Sequence, residues 1–264
     1  MQKIFAVLLS LIICFGAINC ANKTPTQNPT GSSESSQNSE SRSEGSQNSS
    51  ESSGGSSDEG EFSSPSDDGD SGNFTENEFA LGQNTIKYCL YAPKKLTGKA
   101  SLTVYLHGGT AKGDDLSLVY SYGLPSYVKN QTVVFKNSYV LMPQLSSDKR
   151  GWETVSSTIA ALIDELISEY DIDARKVSLT GHSMGGTGAW SLALAYPEKF
   201  SRVAPLSGSV KTNAKNVDIL KNLHIRAFVG SADEIVPPQS TITMIDALKA
   251  KSADAVVTVF DGAG

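Results

Sequence analysis

From Phe79 onward the chain alternates short apolar runs with longer stretches in which apolar residues recur every three or four positions. The short runs lie at 84–92, 101–107, 138–145, 175–180, 202–206, 225–230 and 255–260. Several are continuously apolar, the pattern of strands covered on both faces. The clearest helical stretch is 154–170, where Val155, Ile159, Leu162, Ile163, Leu166, Ile167 and Tyr170 share one face. Two others are 184–196, closed by Pro197, and 239–251. Strands alternating with helices of this length predict an α/β fold: a mostly parallel sheet with helices on both faces.

Before Phe79 the pattern is different. Residues 1–20 carry one Lys and then an apolar run from Ile4 to Phe15, which reads as a signal peptide and is too short for a membrane span. Ala17-Ile18-Asn19-Cys20 approximates a lipoprotein cleavage box, which makes Cys20 a candidate lipidation site and membrane anchor. An ordinary signal peptide whose last Cys is incidental is the other reading. Residues 21–73 are Ser, Gly, Asn, Gln and Glu with scattered Pro. Almost nothing there can be buried to offset the entropy of ordering, so they are expected to form a disordered acidic tether. The folded domain is expected over 74–264, and the product is expected to be secreted or held at the cell surface.

Charge sharpens this division. The stretch 21–78 holds two basic and twelve acidic residues, whereas 79–264 holds nineteen basic and sixteen acidic. The net −6 of the chain therefore belongs to the tether. No cluster of Arg and Lys interleaved with aromatics occurs in the domain, which argues against a nucleic-acid partner. Of three Cys, only Cys89 falls in the domain, so no internal disulfide framework is available there. It sits in a strand-like run and is read as a small buried hydrophobe.

The chemistry concentrates in 175–186, RKVSLTGHSMGG. An apolar strand runs into Gly181-x-Ser183-x-Gly185 and a helix starts at once. Such a turn lifts the Ser hydroxyl above the sheet. Residues two positions to either side must be Gly, because a side chain there would strike the neighbouring strand or helix. Upstream, Leu106-His107-Gly108-Gly109 ends another strand and can aim a backbone N–H at an oxyanion. The N–H of Met184, next to Ser183, is the second donor. Downstream, Asp233 follows a strand and is the candidate partner for a histidine, with Glu234 as its competitor. In strand–Ser–helix sites of this kind the acid and then the histidine follow the serine. His107, His182 and His224 all precede Asp233, and the last strand runs into Phe260-Asp261-Gly262-Ala263-Gly264. The expectation is that the base lies beyond Gly264 and that the chain as given is nearly inactive. Trp152, in a loop after a strand, is a candidate wall of the substrate pocket or a packing residue.

LHGGTAKGDD (106–115), YGLPSYV (122–128), VLMPQ (140–144) with Trp152, YDIDARKVSLTGHSMGGTGAW (170–190), YPEKFSRVAPLSG (196–208) and GSADEIVP (230–237) together resemble the esterase and peptidase branch of the α/β hydrolases. The related enzymes are polyhydroxybutyrate-depolymerase-like and dienelactone-hydrolase-like. The resemblance runs from about residue 80 to the end. It implies an α/β-hydrolase fold, no metal or organic cofactor, Ser183 as nucleophile, Asp233 as acid, and Gly109 and Met184 as oxyanion donors. The family's final Gly-x-Gly-His motif stands here as Gly262-Ala263-Gly264 without its His. Three functions follow as expectations. The first is hydrolysis of an ester through an acyl-enzyme, on a small-molecule or polysaccharide-linked ester such as a feruloyl or acetyl group. The second is a peptidase of the same fold, and the third a binding module without a base.

Overall fold

The computed structural model describes residues 71–264; the stretch read as a signal peptide, Cys20 and nearly all of the stretch read as a tether lie outside the described residues. Eight strands form one sheet in the order β1-β2-β4-β3-β5-β6-β7-β8. They are β1 (Asn73–Leu81), β2 (Asn84–Ala92), β3 (Ala100–Leu106), β4 (Ser138–Pro143), β5 (Ile172–His182), β6 (Arg202–Leu206), β7 (His224–Gly230) and β8 (Ala255–Phe260). The helices are α1 (Gly123–Lys129), α2 (Ser156–Glu169), α3 (Met184–Ala195), α4 (Ala214–Leu220) and α5 (Gln239–Lys249). Strands β3 to β8 pair in parallel, while β2 runs antiparallel to both β1 and β4.

Strand β1 carried no sequence signal and begins at Asn73, one residue inside the stretch assigned to the tether. Its reason is physical. It is an edge strand in which only Phe79 is buried, so it lacks a clean apolar alternation. Pairing holds it: Gly82, at φ 61°, turns the chain so that Leu81 faces Asn84. Helices α1 and α4, seven residues each, were also too short to show a helical period.

The two faces of the sheet are covered unequally. Leu102, Val104 and Leu106 of β3 join Ile159, Leu162 and Ile163 of α2 and Ala189 and Trp190 of α3 in the larger core, which extends to Met244 and Leu248 of α5. Each such Leu or Ile contributes about 1.5–3 kcal/mol when taken from water. The opposite face packs Cys89, Tyr91, Tyr105, Val140 and Met142 against Leu124 and Val128 of α1. Neighbouring residues of β2, β3 and β4 fall alternately into the two cores, as a period of two requires. Cys89 is fully buried, and burial pushes its thiol up to about 12. Among the described residues no helix is long and apolar enough to cross a membrane.

The strand order reverses at the centre. From β3 the chain passes through α1 to β4 on one side; from β5 it passes through α3 to β6 on the other. The carboxyl ends of β3 and β5 therefore border a crevice that no crossover fills, the place where open α/β sheets hold ligands.

Candidate active site

Ser183 sits between β5 and α3 with φ 57° and ψ −117°, backbone angles that a serine adopts only when its surroundings force it. The forcing is steric. A Cβ on Gly181 would stand 2.5 Å from the Gly185 carbonyl oxygen and 2.6 Å from that of Leu106, and one on Gly185 would run into the Leu106 carbonyl. The Ser183 N–H donates to the Leu206 carbonyl at 2.9 Å, tying the turn to β6. Helix α3 then opens with Met184, whose N–H has no partner within the helix.

Beside this elbow, Leu106 pairs with Gly181 and brings the Gly108-Gly109 turn next to the serine. Here no crowding explains the glycines. A Cβ on Gly109 would meet nothing within 4 Å, and one on Gly108 would have its nearest neighbour at 3.4 Å. The turn is shaped by hydrogen bonds. His107 Nδ1 lies 2.7 Å from the Gly108 carbonyl oxygen, and the Leu145 N–H donates to His107 Nε2 at 2.9 Å. A ring that accepts at Nε2 must carry its proton on Nδ1, so both contacts describe one neutral tautomer. Burial lowers the imidazole from 6.5 to about 4, against a smaller upward pull from the Gly108 carbonyl.

Trp152 does not line the site. It is fully buried and packs against Gly188, its indole N–H donates to the His107 carbonyl at 3.1 Å, and its ring meets the imidazole edge-on with centroids 4.9 Å apart. Of the two sequence readings, the packing role is the one the structure supports. The signal for the pocket role was loop position, which does not report side-chain direction.

Ser183 and Asp233 line one cavity of about 210 Å³, walled by Leu206, Phe228, Val236 and Phe260. Asp233 follows β7. Its Oδ1 accepts the N–H groups of Ile235 at 3.0 Å and Val236 at 2.8 Å, which holds the carboxylate against its own loop. Glu234 is exposed and does not line the cavity. His182 does line it; burial lowers its imidazole pKa and the Asp233 charge raises it in part. Gly264 reaches the same cavity and lies against the backbone of Ala232 and Asp233. His224 stands at the other end of the sheet, at the start of β7, with Nδ1 2.7 Å from an Asp254 carboxylate oxygen. Of the three histidines, His107 is engaged at both nitrogens and His224 is remote, while His182, the residue before the serine, lines the cavity with it.

Sequence reasoning missed Ser207. It follows β6, lies at φ 45° and lines the cavity beside Ser183. Only the pairing of β5 with β6 reveals this neighbour, and no motif marks it.

Comparison with known proteins agrees with this geometry. Residues 126–255 match the model of the family described as "Putative esterase". The chain is 32% identical over 134 residues to feruloyl esterase B of Neurospora crassa, covering 47% of this chain and 44% of that enzyme. It is 24% identical over 144 residues to feruloyl esterase B of Talaromyces funiculosus, covering 50% and 39%. The chain thus spans less than half the length of these curated relatives. Among solved structures it superimposes on a thermostable esterase with TM-score 0.63 and 25% identity, over 71% of this chain and 54% of the other.

Proposed function

From its eight-stranded sheet and its similarity to the family described as "Putative esterase" and to a thermostable esterase, we propose that this chain is a serine hydrolase that cleaves carboxylic esters through an acyl-enzyme. The observation that carries the proposal is a strained Ser183 sharing one cavity with the Asp233 carboxylate. Ser183 Oγ attacks the ester carbonyl carbon. The carbonyl oxygen becomes an oxyanion between the N–H groups of Gly109 and Met184, each such donor being worth about a hundred- to a thousand-fold in rate. The step needs an imidazole as base in the cavity that Ser183, Asp233 and Gly264 line together. Asp233 accepts its N–H, holds its tautomer and stabilises the imidazolium. That imidazolium then protonates the leaving alcohol, and water releases the acid by the same path in reverse.

The apolar walls Leu206, Phe228 and Phe260 suit an aromatic or alkyl acyl group. The names of the fungal relatives support a feruloyl ester as substrate. We further propose export, on the apolar run Ile4–Phe15, with Cys20 as lipid anchor.

The test supplies an imidazole base from solution. The chain is incubated with p-nitrophenyl acetate and a series of imidazole concentrations, with Ser183→Ala as control. The expected result is a rate that rises with free-base imidazole and falls to the imidazole background in Ser183→Ala. A folded chain with no Ser183-dependent rate would favour a binding module instead. Methyl ferulate, an acetyl ester and a peptide anilide, compared under rescue, rank the acyl preference.

A further inference from the structure

The Gly108-Gly109 turn is open on its outer side, so something other than crowding must hold it. One end is held by His107, through the Gly108 carbonyl. A trans peptide is planar, with its C=O and N–H pointing in opposite directions. Fixing the Gly108 oxygen inward therefore fixes the Gly109 N–H outward.

The other end is held by Gln144. Its side chain is buried, at 2% exposure, and its Nε2 donates to the carbonyls of Ala111 at 3.1 Å and Asp115 at 2.7 Å. Ala111 closes the single helical turn that begins at Gly109, so this bond grips the end of that turn. The next residue completes the frame. The Leu145 carbonyl accepts the Gly113 N–H at 3.0 Å, and the Leu145 N–H is the bond that orients His107. Two residues just past the end of β4 thus tie down both ends of the turn after β3.

The amide orientation is forced, because turning it over would set Oε1 against two carbonyl oxygens. Its consequence is that Oε1 is buried with no partner among the described residues. A buried acceptor left unmet is a standing cost, and it calls for a reason. A Met or Leu would fill the same space without that cost, so packing alone does not explain a glutamine.

The geometry points to Gln144 as the positioning residue of the oxyanion turn, holding 109–115 so that the Gly109 N–H faces the carbonyl under attack at Ser183. This rests on the proposed role of Gly109 as an oxyanion donor.

The test separates tetrahedral from planar ligands in the full chain. Benzeneboronic acid is the tetrahedral probe: the serine oxygen forms a bond to boron, the hydroxyl proton leaves to solvent, and a boronate oxygen occupies the oxyanion position. Ferulate is the planar probe. Gln144→Met is expected to bind benzeneboronic acid at least about tenfold more weakly and ferulate within about twofold of the parent. Gln144→Glu gives a second handle should the Met variant fail to fold. Protonated, the acid offers one O–H donor; ionised, it repels both carbonyls. Its boronate affinity, relative to the parent, should fall as pH rises through the carboxyl titration. Unchanged boronate affinity in these variants, or equal losses of boronate and ferulate, would overturn the proposal. Ser183→Ala distinguishes the two readings. If it leaves boronate binding intact, the nucleophile is wrong and the Gln144 role falls with it. If it abolishes binding while the Gln144 variants bind normally, only the Gln144 role fails.

Discussion

The ends of β5 and β3 lie side by side, in register from Leu102↔Val177 to Leu106↔Gly181, yet different forces hold the two turns that follow them. After β5 the constraint is volume. Gly181 and Gly185 leave no room for a methyl group, and Ser183 takes a strained conformation as the remaining solution. After β3 there is room, and the constraint is polar: His107, Leu145, Trp152 and Gln144 hold backbone groups by hydrogen bonds. The difference teaches where each turn stores its information. A steric constraint is met locally, by the residues two places either side of the serine. The polar constraint is borrowed from residues 38 and 45 positions away in the chain.

The largest expected effect tests the steric side. In Gly185→Ala the new methyl would run into the Leu106 carbonyl, so β3 and α3 must separate or the elbow must open. Both responses disturb the larger core, and the loss should be at least about 4 kcal/mol, with no folded protein under ordinary conditions as an acceptable outcome. Urea unfolding followed by circular dichroism reads it directly. A midpoint close to the parent's would show that the elbow has slack.

That asymmetry also explains what could be read from the sequence. The elbow was legible because its cause and its motif are the same residues: glycines at 181 and 185 around Ser183, with a strand before and a helix after. The strands from β2 to β7 were legible because their apolar runs are largely buried, and β8, mostly uncovered at the sheet edge, was legible from its apolar run alone. Strand β1 was not, since an edge strand with one buried residue has no period to show. Asp233 could be placed from its position after a late strand, and the structure brings it to the cavity of Ser183. Gln144, Leu145 and the hydrogen bond made by Trp152 were out of reach for a different reason. Their work is to satisfy carbonyl and imidazole groups on a distant turn, and a buried polar contact of that kind leaves no periodicity and no spacing. Ser207 is similar, since its place beside Ser183 follows from strand order alone.

A smaller effect, of opposite origin, tests the polar side. His107 is neutral when folded down to a pKa of about 4, whereas its ordinary value is 6.5. As pH falls below 6.5 the unfolded chain takes up a proton there and the folded chain does not, so stability is full above 6.5 and is lost as pH falls toward 4. The loss from this group is about 3 kcal/mol, and below 4 it stops growing. His182, also lowered by burial, acts in the same direction. His107→Gln should flatten the dependence of unfolding free energy on pH in this window, whatever it does to stability at pH 8. A slope equal to the parent's would mean that the imidazole is not clamped in its neutral form.

The smallest effect is expected at Gly109, and its sign is the informative part. A Cβ there meets no atom within 4 Å and φ is not positive, so alanine fits the folded backbone without strain. Alanine also narrows the conformations open to the unfolded chain, which favours folding by about 0.4–1 kcal/mol at a compatible site. Gly109→Ala should therefore leave stability unchanged or raise it by up to about 1 kcal/mol, measured as a shift of the urea midpoint at constant m-value. A clear destabilisation would mean that this turn, too, is held by crowding, and the contrast between the two strand ends would reduce to one of degree. A neutral or stabilised variant would mean that the glycine serves the space in front of the turn, where an acyl group must approach the N–H, and that the turn itself stands on its hydrogen bonds.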